Sequence, residues 1–236
     1  MIYKSESYVL RKYDLTESSF IVHFFSREKG LIKLVAKGAK RSKSSFSGNL
    51  EIFNRVEIEY VKKEHSELGT LRKIELIESS LSLFSDYKIS KALFAISETL
   101  SKGMKEEQKE DEIFRLTSAA IESLKVKSPP NWVLNYFFLW FLKLNGVFPA
   151  PNFCGGCGAK DNIIAFNSSL GGFLCSNCYK REGFLLNAES VAVIKEILKI
   201  HPSQLTEKRE KIFPKDLQNM LYLKVQDFLG SSLKSI

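Results

Sequence analysis

The segment Phe153-Cys-Gly-Gly-Cys-Gly158, followed by Cys175-Ser-Asn-Cys178, contains all four cysteines of this 236-residue chain. Seventeen residues separate the two Cys-x-x-Cys pairs. A structural Zn²⁺ site prefers four soft ligands in a tetrahedron, and two such pairs at this separation can supply them. The spacing therefore predicts one structural zinc ion per chain, bound by Cys154, Cys157, Cys175 and Cys178. Four thiolates leave no open coordination position, so we expect the ion to take no part in catalysis.

Two other uses of four cysteines are weaker. Disulfides would need an oxidising compartment, but residues 1–6 show no basic region followed by an apolar run, so we expect a cytoplasmic protein with reduced thiols. A redox Cys-x-x-Cys would need a single motif in a β-α-β setting, whereas two motifs occur here in glycine-rich surroundings. Both alternatives are disfavoured relative to zinc.

Composition indicates the class of partner. The formal net charge is +8 with a pI near 9.2, which favours nucleic acid and, less often, an anionic membrane surface. No run of eighteen apolar residues occurs, so we expect no membrane span. None of the three histidines stands in an arrangement typical of a nucleophile or a general base. We therefore expect a binding protein rather than an enzyme.

The first eighty residues show the patterns of short strands. Ser7–Tyr13, Phe20–Phe25 and Leu31–Val35 are rich in β-branched and aromatic residues. Val56, Ile58 and Tyr60 alternate with charged residues, and 68–76 is a weaker fifth candidate. Five short strands without a long helix predict a small barrel such as an OB-fold, although an SH3-like barrel would show much the same pattern.

A basic loop is expected between the third and fourth strands. Its four positive charges fall within seven residues without a negative one: Lys37, Lys40, Arg41 and Lys43. Such a loop is either solvated or follows a phosphate backbone, and Phe46 beyond it either stacks on a base or joins the core. Lys29 and Lys33 are near enough in sequence to join a DNA-binding patch.

Beyond residue 80 the apolar period becomes helical. Leu93, Ile96 and Leu100 precede Gly103, an exposed charged linker is expected at 105–111, and a second helix is expected at 113–124. Residues 132–144 are apolar almost all round, which predicts a central buried helix too short for a bilayer. Asn187 is a candidate N-cap for a fourth helix, and Pro214 opens a fifth.

These segments predict an α+β multidomain protein. The expected domains are an OB-fold at 1–80, a helical domain formed by 81–150 and 184–236, and a zinc module at 151–183 inserted in the helical domain. The zinc module lies between helices of one bundle in the sequence. It is therefore expected to be an insertion rather than a separate finger.

The order of short motifs along the chain resembles the bacterial RecO family. The matching stretches are Ser26-Arg-Glu-Lys-Gly30-Leu31-Ile32, Ala36-Lys37-Gly38-Ala39-Lys40, Leu50-Glu-Ile-Phe53, Pro149-Ala-Pro-Asn-Phe-Cys154-Gly-Gly-Cys157, Phe166-Asn-Ser168, Gly171-Gly-Phe173 and Cys175-Ser-Asn-Cys178. They extend over nearly the whole chain in the family's order. The resemblance implies the same three parts that the residues predict.

The resemblance also implies a function in DNA repair and recombination. RecO proteins bind single- and double-stranded DNA, anneal complementary strands and, with RecR, help to load RecA on DNA coated by single-strand-binding protein. By matching position the family's barrel contacts fall on Lys37, Lys40 and Arg41, whereas Lys43 is assigned from charge alone. The family's contact with the C-terminal tail of single-strand-binding protein lies on the helical domain. A cytoplasmic, nucleoid-associated protein is implied.

Two alternatives come from other classes of protein. A zinc-dependent transcription or RNA-binding factor would share the charge and the cysteines, but it would prefer one nucleic-acid sequence. A structural adaptor would keep the helices and the zinc, but it would show no salt-sensitive binding to DNA. Binding to several unrelated oligonucleotides separates the three.

Overall fold

The computed structural model describes residues 2–64, 66–208 and 211–235 of the chain. They form two compact units, of which the first comprises Met1–Arg115 with Leu233–Ile236 and the second comprises Leu116–Ser232. The predicted domain boundaries near residues 80, 150 and 184 stay predictions, because compact packing does not show which segments fold independently. No helix in the described part of the chain is long and apolar enough to cross a membrane.

The first unit contains a closed barrel. Its strands are β1 (Ile2–Asp14), β2 (Phe20–Ser26), β3 (Gly30–Ala36), β4 (Arg55–Val61) and β5 (Gly69–Glu78). Their order around the barrel is β1-β2-β3-β5-β4, with β4 returning to β1. β3 and β5 pair in parallel, and the other neighbours are antiparallel. A five-stranded Greek-key barrel of this kind is an OB-fold, so the predicted fold class is confirmed.

The barrel core follows the alternation seen in the sequence. β4 buries Val56, Ile58 and Tyr60, and the residues between them are only partly buried. Phe46 enters the same core from the loop after β3 and is 8% exposed. Of the two roles open to Phe46, packing in the core is therefore the one that the fold adopts, because a buried ring offers no face to a base.

β1 begins at Ile2 rather than at Ser7, and its first half pairs with β4. No sequence pattern predicted this extension, because residues 4–7 are polar and show no apolar alternation. Ser5 and Ser7 are buried, and the hydroxyl groups of Ser5 and Ser26 lie 2.5 Å apart. A buried hydroxyl needs a hydrogen-bond partner, which Ser5 finds in Ser26, while Tyr3 packs against the barrel core.

Five α-helices follow in the described part of the chain: α1 (Tyr87–Gly103), α2 (Asp111–Lys125), α3 (Pro130–Leu144), α4 (Ala188–Ile197) and α5 (Lys215–Leu229). The Asp86 carboxylate caps α1 by accepting the backbone N–H of Lys88 at 2.7 Å. The predicted cap of α4 is confirmed, since the Asn187 side chain accepts the N–H of Ser190 at 2.7 Å. A cap satisfies donors that the first turn of a helix leaves without partners.

The predicted central helix, α3, is confirmed by its burial. Ten of its side chains between Trp132 and Leu142 are buried. The polar ends of its aromatic residues are satisfied within the second unit: Trp132 donates to the Lys211 carbonyl at 2.8 Å, and Trp140 donates to that of Ile197 at 3.2 Å. The unit's own core thus accounts for the many aromatic side chains of α3, and their number is no evidence for a partner-binding surface.

A buried carboxylate on α1 holds the last described residues of the chain. Glu98 accepts the backbone N–H of Lys234 at 3.0 Å, the hydroxyl of Ser235 at 2.7 Å and the ammonium of Lys102 at 2.7 Å. Burial alone would raise the pKa of Glu98, but these donors outweigh it and lower the pKa to about 2. The carboxylate therefore stabilises the first unit in its charged form.

Candidate functional site

The cysteine pairs lie in a small sheet of the second unit. Its strands are β6 (Ile163–Asn167), β7 (Gly172–Cys175) and β8 (Phe184–Leu185), in the order β7-β6-β8. Cys175 ends β7, and the turn that follows it carries Cys178. The backbone N–H of Gly155 donates to the Phe173 carbonyl at 2.8 Å and attaches the first pair to β7. The sequence did not predict this sheet, because its strands are only two to five residues long.

The four sulfur atoms converge as predicted. All four Sγ atoms lie within 4.8 Å of one another, and those of Cys157 and Cys175 are 3.7 Å apart. Zn–S bonds of about 2.3 Å in a tetrahedron require sulfurs about 3.8 Å apart, so the group fits a single metal ion. The four cysteines are free thiols rather than disulfides. The arrangement could hold a metal ion, and the identity of that ion stays a prediction.

Backbone N–H groups favour the thiolate form of Cys154, the form that binds a metal cation. Burial alone would raise the pKa of Cys154, but backbone N–H groups, with that of Cys175 at 3.3 Å, outweigh it and lower the pKa to about 6. Hydrogen bonds with the sulfurs of Cys157, Cys154 and Cys175 raise the pKa of Cys178 to about 12. Such crowding of thiols is relieved when a divalent cation takes the place of their protons.

Close packing around the four sulfurs requires a glycine at position 156 and places three phenylalanine rings beside the site. A Cβ added at Gly156 would lie 3.1 Å from the Cys178 sulfur, which is too close unless that side chain moves. Phe148, Phe166 and Phe173 are fully buried, and their ring centroids lie 5.1 to 5.5 Å apart. This three-ring cluster is the apolar support of an otherwise small module.

The basic loop (Lys37–Lys43) follows β3 as a series of turns. The N–H of Arg41 donates to the Gly38 carbonyl at 3.1 Å, and that of Ser44 donates to the Arg41 carbonyl at 3.0 Å. Lys37, Arg41 and Lys43 are exposed, and they form no ion pair with the acidic side chains that the structure describes. These three cations are therefore available to an anionic ligand.

The other predicted DNA contacts already have partners on the barrel. The Lys40 ammonium lies 2.6 Å from Asp14, donates to the Thr16 carbonyl at 2.9 Å and covers the Phe20 ring. Lys33 forms an ion pair with Glu106. Lys29 lies over the Tyr3 ring, 5.4 Å from its centroid. The structure thus does not bring all six cations into one open patch, and their predicted contacts with DNA stay predictions.

Sequence reasoning missed two features of the barrel surface. Lys62 and Lys63 follow β4 directly, and this pair of adjacent lysines was the available signal. The linker at 105–111 is exposed as expected, but its backbone is not detached, because the N–H of Glu107 donates to the Leu31 carbonyl at 3.0 Å. Glu107 also forms an ion pair with Lys62 at 2.6 Å. No local pattern marks a contact between residues so far apart in sequence.

Comparisons with known proteins cover most of the chain. The family model described as Recombination protein O N terminal matches residues 1–80, and that described as Recombination protein O C terminal matches residues 85–211. A protein of Koribacter versatilis named DNA repair protein RecO is 33% identical over 194 residues, which cover 82% of this chain and 79% of that protein. One of the same name from Caldanaerobacter subterraneus is 29% identical over 241 residues, covering 95% and 96%. One from Bacillus pumilus is 30% identical over 186 residues, covering 79% and 72%.

Proposed function

The chain belongs to the RecO family of DNA repair proteins, and on that premise we propose that it binds single- and double-stranded DNA and anneals complementary strands. With RecR, it helps to load RecA on DNA coated by single-strand-binding protein. Family membership itself supports a role in DNA repair by recombination. The more specific activities rest on the resemblance of the motifs and on the surface of the barrel.

One observation carries the proposal for DNA binding. Three exposed cations without ion-pair partners among the described residues, Lys37, Arg41 and Lys43, project from one loop of an OB-fold. OB-folds bind single strands with a positively charged groove that follows the backbone. Contacts to phosphate position a strand but do not identify its bases, so this binding has no sequence preference.

We expect the triple variant Lys37→Ala, Arg41→Ala, Lys43→Ala to bind all oligonucleotides more weakly. Each phosphate contact on a single strand contributes roughly −0.7 to the log-log salt slope, so three lost contacts flatten the slope by about 2. When salt rises from 50 to 200 mM, the affinity of the wild type should therefore fall by a factor about 20 times larger than that of the variant. Fluorescence anisotropy with three unrelated single strands, titrated with NaCl, measures the slope. Lys40 stays unchanged in this variant because Asp14 already holds its ammonium.

A matched variant removes the same charge elsewhere. Lys160→Ala, Lys180→Ala, Arg181→Ala takes three exposed cations from the neighbourhood of the cysteines. We expect it to keep the wild-type slope. If the loop variant keeps the wild-type salt slope and the matched variant has a flattened one, the DNA contacts lie beside the cysteines instead. Strong preference for one of the three strands would favour a sequence-specific factor, and no salt-sensitive binding at all would favour an adaptor.

We also propose that the four thiolates hold Zn²⁺ as a structural ion and that the helical domain binds the tail of single-strand-binding protein. The ligand set supports zinc, because four thiolates in a closed tetrahedron are the usual donors of structural zinc.

The family resemblance supports the contact between the helical domain and the tail of single-strand-binding protein. A fluorescent peptide of that tail should bind the full chain saturably. Absence of binding at low salt would contradict this contact.

A further inference from the structure

Part of one edge of β3 is not paired with another barrel strand, and a segment distant in sequence pairs with it instead. β3 pairs with β5 only at Leu34 and Val35, so the edge of its first half, Gly30–Lys33, does not meet β5. Glu106 forms a parallel bridge with Leu31 at this edge, and the N–H of Glu107 donates to the Leu31 carbonyl. An open strand edge is a template for pairing with an extended chain. We call residues 106–108 the acidic segment.

The acidic segment comes close to the backbone of β3. A Cβ at Gly30 would lie 1.9 Å from the Gln108 carbonyl oxygen, and Gly30 also has φ +64°. Only glycine permits both this conformation and this approach. The position of the segment is therefore determined by close backbone contact as well as by charge.

A groove of about 1130 Å³ opens next to the acidic segment. Four cations line it, Lys29, Lys62, Lys63 and Arg72, against two acids, Glu64 and Glu107. Tyr3 and Tyr60 also line it, with their rings stacked at a centroid distance of 5.2 Å. Lys29, Lys63 and Arg72 form no ion pair with an acidic side chain in the described ranges. The groove combines the unpaired charges of Lys63 and Arg72 with the Tyr3 ring, which the Lys29 ammonium covers, and it exceeds the roughly 300 to 1,000 Å³ of small-molecule sites.

The two cations nearest this edge of β3 form ion pairs with carboxylates of the acidic segment. Glu107 lies 2.6 Å from the Lys62 ammonium, and Glu106 pairs with Lys33. The side chains of Glu106 and Glu107 are 43% and 48% exposed, whereas those of Lys33 and Lys62 are 31% and 13% exposed, so solvent screens each ion pair mainly at its carboxylate. Glu107 also has φ +57°, a left-handed conformation that side chains other than glycine rarely adopt. The Glu107 side chain is therefore the part of the acidic segment that a ligand can displace, while its backbone stays bonded to Leu31.

We propose that this groove is a second binding site for unpaired nucleic acid, in which a phosphate replaces the Glu107 carboxylate on Lys62. The proposal rests on the proposed DNA-binding function and adds a site away from the basic loop. Cations follow the phosphates of a single strand, and the face of Tyr3 that the Lys29 ammonium covers becomes a surface for an unstacked base when that ammonium moves to a phosphate. A duplex keeps its bases stacked, so the aromatic wall favours a single strand. The acidic segment then acts as an internal competitor of the strand.

The test uses the full chain and a fluorescein-labelled thymidine 15-mer. If Glu107 competes with the strand, Glu107→Gln should bind the 15-mer about two- to fivefold more tightly, because breaking a partly exposed ion pair raises the fraction of molecules with a free Lys62 by about that factor. Lys62→Gln should bind more weakly and flatten the salt slope by about 0.7. Adding Glu107→Gln to Lys62→Gln should then give no further gain. Glu122→Gln is the matched control, since it breaks an exposed ion pair with Lys125 elsewhere.

The outcomes separate the two proposals. No binding of the 15-mer by the wild type overturns both. Salt-dependent binding by the wild type, with affinities unchanged in Glu107→Gln and Lys62→Gln variants that unfold thermally like the wild type, overturns the groove and leaves DNA binding intact. If Glu107→Gln strengthens binding of a glutamate decapeptide but not of the 15-mer, the groove is a peptide site and the proposal is wrong.

Discussion

Replacing Cys154 by serine is expected to abolish stoichiometric metal binding and to unfold residues 153–185 locally. A structural zinc ion supplies on the order of 10 kcal/mol or more in small modules, and this free energy is folding free energy. Here the metal would support three short strands and a cluster of three phenylalanines, which is a small core. Metal analysis should show about one ion per chain in the wild type and almost none in the variant. Amide exchange in residues 153–185 should accelerate by several orders of magnitude.

The control for this prediction is Ser176→Ala, which changes an exposed side chain between Cys175 and Cys178. It should keep the metal and the slow exchange. Affinity for the thymidine 15-mer should survive in Cys154→Ser, because the basic loop belongs to the other unit. Purified wild-type protein without metal, or a Cys154→Ser variant with a full complement of zinc, would refute the four-thiolate assignment.

The second large effect is a loss of stability at low pH caused by Glu98. Its pKa is lower in the folded chain, about 2, than the ordinary value of 4.5, so folding favours the charged form. The contribution is therefore fully present above pH 4.5 and is lost as pH falls from 4.5 towards 2. At about 1.4 kcal/mol per pKa unit, the contribution is about 3 kcal/mol. Glu98→Gln should lower the free energy of unfolding by about that amount at pH 7.

Denaturant unfolding of both proteins between pH 2 and pH 7 measures this effect. The difference in unfolding free energy between wild type and Glu98→Gln should shrink as pH falls from 4.5 towards 2. Protonation of Glu98 then gives the wild type the same uncharged side chain at this position as the variant has. Amide exchange at Lys234 and Ser235 should be faster in the variant at neutral pH, since their N–H groups donate to this carboxylate. Glu122→Gln, at an exposed ion pair, should cost less than about 1 kcal/mol at any pH. A difference that does not change with pH would contradict the role of Glu98.

Local signals predicted the elements of this fold well. The alternation in β4, the all-round apolar character of α3 and the Asn187 cap each depend on residues within one or two turns or along one strand. The cysteine spacing likewise predicted a convergent group of sulfurs, since each pair forms one tight turn. Such patterns are visible in a sequence because the residues that interact are close along the chain.

Contacts over longer separations escaped the sequence analysis. The first half of β1 was missed because residues 4–7 show no apolar alternation, whereas its pairing with β4 forms only in the folded chain. Lys40 and Lys33 were predicted to contact DNA, and the sequence did not indicate that Asp14 and Glu106 form ion pairs with them in the free protein. Lys62 forms no motif by itself, and the sequence indicated the acidic segment only as part of a charged linker, without its contacts to β3 and Lys62. The candidate groove exists only where these pieces meet.

The sequence by itself thus determined most strands of the barrel, the helices, the convergence of the four cysteines and the excess of positive charge. Only the tertiary structure decided which cations stay free, which edge of β3 stays open and what covers it. The physical reason is that periodicity and capping act between neighbours, whereas ion pairs and edge pairing depend on which surfaces meet in space. Leu31 and Glu106 meet because closing the barrel leaves that edge without a strand.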